Sequence, residues 1–409
     1  MGMTGGIQAR TVLFTGGRAP VTLELARQFA QNGHRVLVAD SLPHTLCTDS
    51  RAVSKNFVVP APRHDPTEFI KALRQIIRRE QVECLIPTCE EIFYIAAGLD
   101  DLRAYCQVLV EPLHKLKPLH NKWLFMQKMQ ALDLAVPQTW RVASQQALKS
   151  VLARAVPERL VLKPVYSRFA TQVRFLETST PTSPDIDVSP EKPWVVQEFI
   201  QGRHYSLYGV AQGGRLTAFA AYPTLFTAGK GACIYFESVT HPHLLAWMQT
   251  IVAAEQFTGQ IAFDVVETKN GVLYPLECNP RAISAVHLFD ASDRLDQACL
   301  DSTNPLIQPK QDKCAAIRLA MVLYGLPEAL VTGQFAHWAK AMMTARSVIF
   351  QRGDPLPGLF LPRMLWQFAC MSLQQRRSLQ TVSTQDIEWD GMPIEWTLQP
   401  EFIVGSQHQ

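Results

Sequence analysis

Three strongly polar side chains interrupt the apolar segment Tyr274–Phe289, YPLECNPRAISAVHLF: Glu277, Asn279 and Arg281, each two residues from the next. Residues two apart on an extended chain share a face, so the three groups point one way if a strand runs through them. Just upstream, GQIAFDVVETKNGVLYPLECNPR reads as two strands flanking Asn270-Gly271, a strong short-range hairpin signal. With those two residues as the loop, Lys269 pairs with Val272, and counting outward sets Asp264 opposite Glu277. Like charges in direct register destabilise a hairpin, and burial deepens the conflict. A divalent cation between them removes it. Asp264, Glu277 and Asn279 make an all-oxygen set of the kind Mg²⁺ takes beside nucleotide phosphates. Arg281 beside that set can grip phosphate or carboxylate through two hydrogen bonds. A second reading fits the same residues: solvent-facing carboxylates on ordinary strands, with Arg281 salt-bridged to one of them. The hairpin alone leaves both open.

The elements that must position these groups follow from the rest of the chain. With 409 residues, 47% hydrophobic and 18% charged, it has room for two or three cores. Net charge is +3 and the basic residues are scattered, so no nucleic-acid footprint is expected. Nine cysteines without a CxxC pair read as small core hydrophobes in a reducing compartment. Neither a signal-peptide h-region nor an apolar run of about 18 residues is seen, and a cytoplasmic protein is expected. GLFLPRMLWQFACMSL (Gly358–Leu373), broken by Pro362 and Arg363, reads as a packed helix.

The first hundred residues alternate short apolar runs with amphipathic helices. TVLFTGG, RVLVAD and VECLIPT read as strands, separated by helices that begin at Pro20 and Pro66. This βαβαβ order predicts a parallel, doubly wound sheet. Asp40 ends the second strand where a dinucleotide's ribose would bind. Yet the turn Thr15-Gly16-Gly17-Arg18-Ala19-Pro20 lacks GxGxxG, and Pro20 removes an N–H, so a dinucleotide oxidoreductase is disfavoured. From Leu119 a helix carries Lys122, and RLVLKPV is a strand ending at Lys163. Thr178–Pro193 is a polar surface loop, and Trp194–Tyr222 reads as antiparallel strands turning at Gly213-Gly214. A helix is expected near His243–Gln256. The predicted class is α/β followed by α+β, with boundaries near residues 112 and 300. That gives a parallel domain over 1–112, a mixed domain over 113–300 with a subdomain at about 135–200, and a helical extension over 301–409.

Lys122, Lys163 in VLKP, Glu198 in VVQEFIQG and the FDVVE…YPLECNPR hairpin, in that order, resemble the ATP-grasp superfamily, especially ligases built like carbamoyl-phosphate synthetase and biotin carboxylase. The resemblance covers roughly residues 10–290, and ECNPR is its most specific element. It implies ATP and Mg²⁺ as cofactors, with Mn²⁺ as a substitute. Lys122 and Lys163 would contact phosphates, and Glu198, Phe199 and Ile200 would border adenine. Asp264, Glu277 and Asn279 would hold Mg²⁺, with Arg281 and Lys163 catalytic. His204 stands where the family often has a ribose-binding Glu, and Ser284 and His287 border the substrate pocket. The segment after Lys163, PVYSRFATQV, lacks the usual glycines, so Ser167 and Arg168, or backbone of TAGKGA (Thr227–Ala232), would serve the phosphates instead. The implied function is an ATP-dependent ligase joining a small carboxylic acid to an amine. Phosphorylation of an enol or other oxygen nucleophile, and a nucleotide-binding module of reduced activity, are the alternatives. No nucleic-acid or membrane partner is implied, and a homodimer is compatible with this reading.

Overall fold

The computed structural model describes residues 8–155, 157–167, 172–177, 186–229 and 231–394. Five strands, β1 (Thr11–Thr15), β2 (Arg35–Asp40), β3 (Lys55–Val58), β4 (Cys84–Ile86) and β5 (Gln107–Val108), form a parallel sheet in the order β3-β2-β1-β4-β5. The three strands read from the sequence are its centre. The two flanking strands are short and carry exposed residues, so they lack the continuous apolar run that marks a buried parallel strand. Both expected helices begin with proline, Pro20–Gln31 and Pro66–Glu80, the second capped by Asp65 accepting from the Glu68 N–H.

A second, antiparallel sheet holds β6 (Thr139–Val142), β7 (Arg159–Pro164), β8 (Arg174–Glu177) and β9 (Trp194–Glu198) in the order β6-β9-β7-β8. Helix Gln145–Arg154, capped by Ser144, closes one face over a small separate core that includes Leu148, Leu162 and Val196. Ile186 and Val188 join that core, so the second half of the expected polar loop is packed. Residues 178–185 lie outside the described residues.

The third sheet is the floor of the site. After β10 (Arg203–Gln212) and β11 (Arg215–Pro223) come a small hairpin of β12 (Thr227–Ala228) and β13 (Ala232–Cys233), and β14 (Tyr235–Glu237). Helix Pro242–Ala254 then leads to β15 (Gly259–Glu267) and β16 (Leu273–Asn279), giving the order β11-β10-β15-β16. Gln212 pairs with Arg215 across Gly213 and Gly214, whose φ of +54° and +82° make the two-residue turn.

The expected helix from Leu119 is two helices. Leu113–His120 ends where Asn121 turns extended and caps Lys122–Ala131 by accepting the Trp123 and Leu124 N–H groups. The break sets Lys122 in the first turn of the second helix.

Past residue 300 the chain is mainly helical, but it also supplies β17 (Cys314–Ala316) and β18 (Arg346–Ser347), which pair with β14 in the order β14-β17-β18. Helix Leu361–Gln375 buries Met364 and Phe368, yet leaves Trp366 72% and Leu373 80% exposed, so only one face of the expected packed helix is covered. The chain then returns to the first sheet, where Trp389 stacks on Phe93 with ring centroids 4.8 Å apart. Among the described residues no helix is long and apolar enough to cross a membrane.

Candidate active site

A cleft of about 630 Å³ runs between the sheets. Asp264 on β15 faces Glu277 on β16, as counted from the sequence, though the route to that register differs. The loop is one residue longer than the two-residue turn expected: Thr268 and Val272 bond across Lys269-Asn270-Gly271, and Gly271 has φ of +77°. That shift would have opposed Asp264 to Leu276. A bulge between Val265 and Asp264 absorbs one residue of β16 and restores the pairing. The extra residue is Leu276, and its carbonyl accepts from Lys163 Nζ at 2.9 Å. One irregularity therefore aligns the carboxylates and anchors a lysine.

The electrostatics of the pair are one-sided. Burial, and then the Glu277 charge, lift Asp264 above the ordinary carboxylate range, against the Ser206 hydroxyl that donates to it at 2.6 Å. Burial also pushes Glu277 up, but Lys122 and Lys163 outweigh it and hold the group low. Lys122 Nζ lies 3.3 Å from Glu277 and donates to the Ser167 carbonyl at 3.1 Å. Burial lowers the Lys163 ammonium to about 8 against the pull of Glu277. Asn279 Nδ2 donates to Glu277 Oε1 at 3.4 Å, and its Oδ1 accepts from Arg281 at 3.1 Å. Arg281 also sits 3.7 Å from Glu90, on the turn after β4.

These donors suit Mg²⁺. Two carboxylates with conflicting charge and an amide oxygen with a second lone pair converge on one patch. Among the described residues no cluster of three or more His, Cys, Asp or Glu forms a closed cage. An open site of one or two carboxylates, completed by substrate phosphates, is the arrangement Mg²⁺ prefers.

At one end of the cleft, Glu198, Phe199 and Ile200 leave β9 beside Phe175 and Val161. The Arg159 guanidinium lies 4.1 Å over the Phe199 ring, and Phe175 meets that ring edge-on at 6.0 Å. Glu198 accepts from the Gln138 N–H at 3.1 Å, which fixes the strand end. His204 on β10 lines the same end, and burial keeps its imidazole towards the neutral form. Thr227, Ala232 and Cys233 rim the cleft, and Lys230 lies outside the described residues, as does Arg168.

Ser284 lines the cleft, but His287 does not. Its ring is fully buried, 3.4 Å from Glu24 of helix Pro20–Gln31, and tilted against Phe236 with centroids 5.7 Å apart. The short helix Ser284–Leu288 turns it away from the opening, so the expected substrate contact is a core histidine instead. Sequence reasoning missed Ser206, whose neighbour Asp264 is known only once β10 is placed beside β15. It also missed Arg18. Its guanidinium pairs with Asp40 and with Asp386 at 2.6 Å each, filling the place where a ribose acid was considered.

A sequence model of the ATP-grasp domain matches residues 119–285. The carbamoyl phosphate synthase large chain of Rubrobacter xylanophilus is 22% identical over 189 residues, which are 44% of this chain and 17% of that one. The chain thus matches about a sixth of that relative's length. Among solved structures, the ADP complex of N5-carboxyaminoimidazole ribonucleotide synthetase has a TM-score of 0.58 at 16% identity, covering 76% of this chain and 82% of its own. Biotin carboxylase from Campylobacter jejuni gives 0.55 at 13%, covering 72% and 71%. An L-amino acid ligase from Bacillus licheniformis gives 0.54 at 13%, covering 71% and 75%. Residues 119–285 match an ATP-grasp domain, and the hairpin carrying Asp264, Glu277 and Asn279 falls inside them.

Proposed function

We propose that the protein is a Mg·ATP-dependent ligase that activates a small carboxylic acid as an acyl phosphate and couples it to an amine. The observation that carries this is the in-register Asp264–Glu277 pair with Lys122 and Lys163 converging on it. Paired carboxylates beside paired ammoniums have no use in an ordinary strand, but they match a metal–phosphate cluster.

Asp264, Glu277 and Asn279 would hold Mg²⁺, which supplies positive charge against the β- and γ-phosphates. Lys122 and Lys163 would bind the phosphates from the side of the second sheet. Adenine would lie against Phe199 and Ile200, with His204 within reach of a ribose hydroxyl. The acid's carboxylate oxygen attacks the γ-phosphorus, the bond to ADP breaks, and an acyl phosphate forms. The amine then attacks the carbonyl carbon, phosphate leaves and the amine gives up a proton. Arg281 would offset charge on the transferred phosphoryl group and on the oxyanion. Ser284 would touch the acid. Residues 1–112, 113–300 and 301–409 are the corresponding proposed units. The L-amino acid ligase among the structural neighbours supports an acid–amine pairing.

The direct test is calorimetry with Mg·ATP, followed by ADP release on a panel of acids and amines, for wild type and Glu277→Gln. Tight Mg-dependent nucleotide binding and turnover abolished by the substitution are expected. NAD(P)H binding without ATP binding, or full turnover in the variant, would overturn the reading.

A further inference from the structure

The cleft continues beyond the metal-binding patch. From Asn279 it passes Arg281, then Cys89 on the turn after β4, and reaches the turn after β1 that bears Arg18. The wall there comes from the far end of the chain: Phe368, Ser383, Thr384 and Ile387. Its polar groups are already committed. Arg18 Nε donates to Asp40, Nη1 to Asp386 and the Ser383 carbonyl, and Nη2 to Asp40, Ser41 and Asp386. All five N–H groups of the guanidinium point at acceptors in the fold. Two carboxylates offset its charge, and the side chain is 5% exposed. Thr384 Oγ1 donates to Glu388 at 2.7 Å, and Ser383 Oγ to the Gln380 carbonyl at 2.8 Å. The apolar groups left to meet a ligand there include Ile387 and Phe368 from the far end of the chain, with Ala19, Pro20 and Ile283.

Resting on the ligase reading, we infer that residues 383–387, clamped by the Asp386–Arg18–Asp40 triad, form the specificity wall for the acid, and that the acid has an apolar, uncharged body. Its carboxylate is directed to Arg281 and the metal-binding patch. A second carboxylate or a phosphate on the body would meet a cation whose donors are saturated and a desolvating apolar surface, and would lose its hydration uncompensated. An alkyl or aryl body loses nothing there and gains by burial. Asp386 is a positioning residue, acting through the segment it holds.

Hydroxylamine reads this without knowledge of the natural amine. Its nitrogen attacks the acyl phosphate's carbonyl carbon, expels phosphate, gives a proton to water and leaves a hydroxamate, read by the colour of its complex with added ferric ion. The panel is 4-methylpentanoate and 3-phenylpropanoate against glutarate and O-phosphoserine, each with Mg·ATP. Hydroxamate from the apolar acids, at least roughly tenfold faster than from the charged pair, is expected. Ile387→Ala and Asp386→Asn should each raise the KM of the responding acid roughly tenfold, with the KM for ATP moved less than about twofold. Ile387→Ala leaves the ion triad intact, so it tests the wall even where Asp386→Asn fails to fold. Binding of nucleotide with hydroxamate only from glutarate or O-phosphoserine, or from none of the apolar acids, overturns the wall. Wild-type acid KM in both variants overturns it too. Absence of nucleotide binding instead defeats the ligase reading on which the inference rests.

Discussion

The two ends of the cleft are built in opposite ways. The proposed metal-binding patch comes from one hairpin: Asp264 and Glu277 lie 13 positions apart and meet through local strand pairing. The far wall is assembled from the turn after β1 and a segment 368 residues later, joined by the Arg18–Asp386 ion pair. Local pairing sets geometry whether or not the rest of the chain is in place. The long-range wall exists only when the last hundred residues have docked. The metal–phosphate chemistry proposed for this chain therefore sits on the local element, and the proposed selectivity sits on the distant one.

Arg18→Met should break the comparison hardest. It leaves Asp40 and Asp386 buried without their cation, and losing one partner of a buried ion network costs about 3–5 kcal/mol. A lower urea midpoint is expected, together with faster hydrogen exchange at the Arg63 N–H, which donates to the Asp386 carbonyl. Unchanged exchange there would mean that the segment docks without the triad. Asp264→Asn tests the other end with the opposite sign for stability. Turnover should fall by about 10²–10³, the scale of losing one preorganised electrostatic group. The apo protein should melt about 2 °C higher, because the amide relieves the repulsion that lifts Asp264. A lower melting temperature would show that the carboxylate pair is not in conflict in solution.

Acid should also loosen the long-range joints. Glu24 lies on helix Pro20–Gln31, and its carboxylate contacts His287 and Arg346. Burial pushes its pKa up, yet these two partners outweigh burial and hold it at about 2, below the ordinary value of 4.5. A depressed acid stabilises the fold above its unfolded value and loses that contribution as pH falls through its folded value. The window therefore runs from about pH 4.5 down to about 2, and the contribution is on the order of 3 kcal/mol. Melting temperature followed from pH 7 to 2 should drop through that window in wild type, and Glu24→Gln should flatten the drop. An equal drop in both would shift the cause to another group.

The same contrast explains what could be read in advance. The βαβαβ order, the Gly213-Gly214 turn and the facing of Asp264 and Glu277 rest on periodicity and turn residues within about 30 positions. His287 misled because its sequence neighbours hold no trace of Glu24, 263 positions earlier. Arg18 lies in a glycine turn and Asp386 in the segment DIEWDG, 368 positions on, and nothing local in the sequence pairs them. The Asp264–Glu277 register came out right through two offsetting departures, a longer loop and a bulge, neither of which alternation of apolar residues reveals.

Those two departures yield the smallest effect and the sharpest test of local determinism. Gly271 holds φ of +77°, where a side chain costs about 1 kcal/mol, and no atom lies within 4 Å of an added Cβ. Gly271→Ala should therefore strain the loop without a clash. If the loop dictates register, the strain would favour a shorter turn and slide β16 by one residue, turning Glu277 away from Asp264. If the Leu276 bulge dictates it, the pair stays in place, because Lys163 holds the Leu276 carbonyl at 2.9 Å. We expect the second outcome: a loss of about 1 kcal/mol with Mg-dependent nucleotide affinity unchanged. Lost nucleotide affinity in Gly271→Ala, restored by Gly271→Asn (Asn tolerates this φ better than Ala), would instead give the register to the loop.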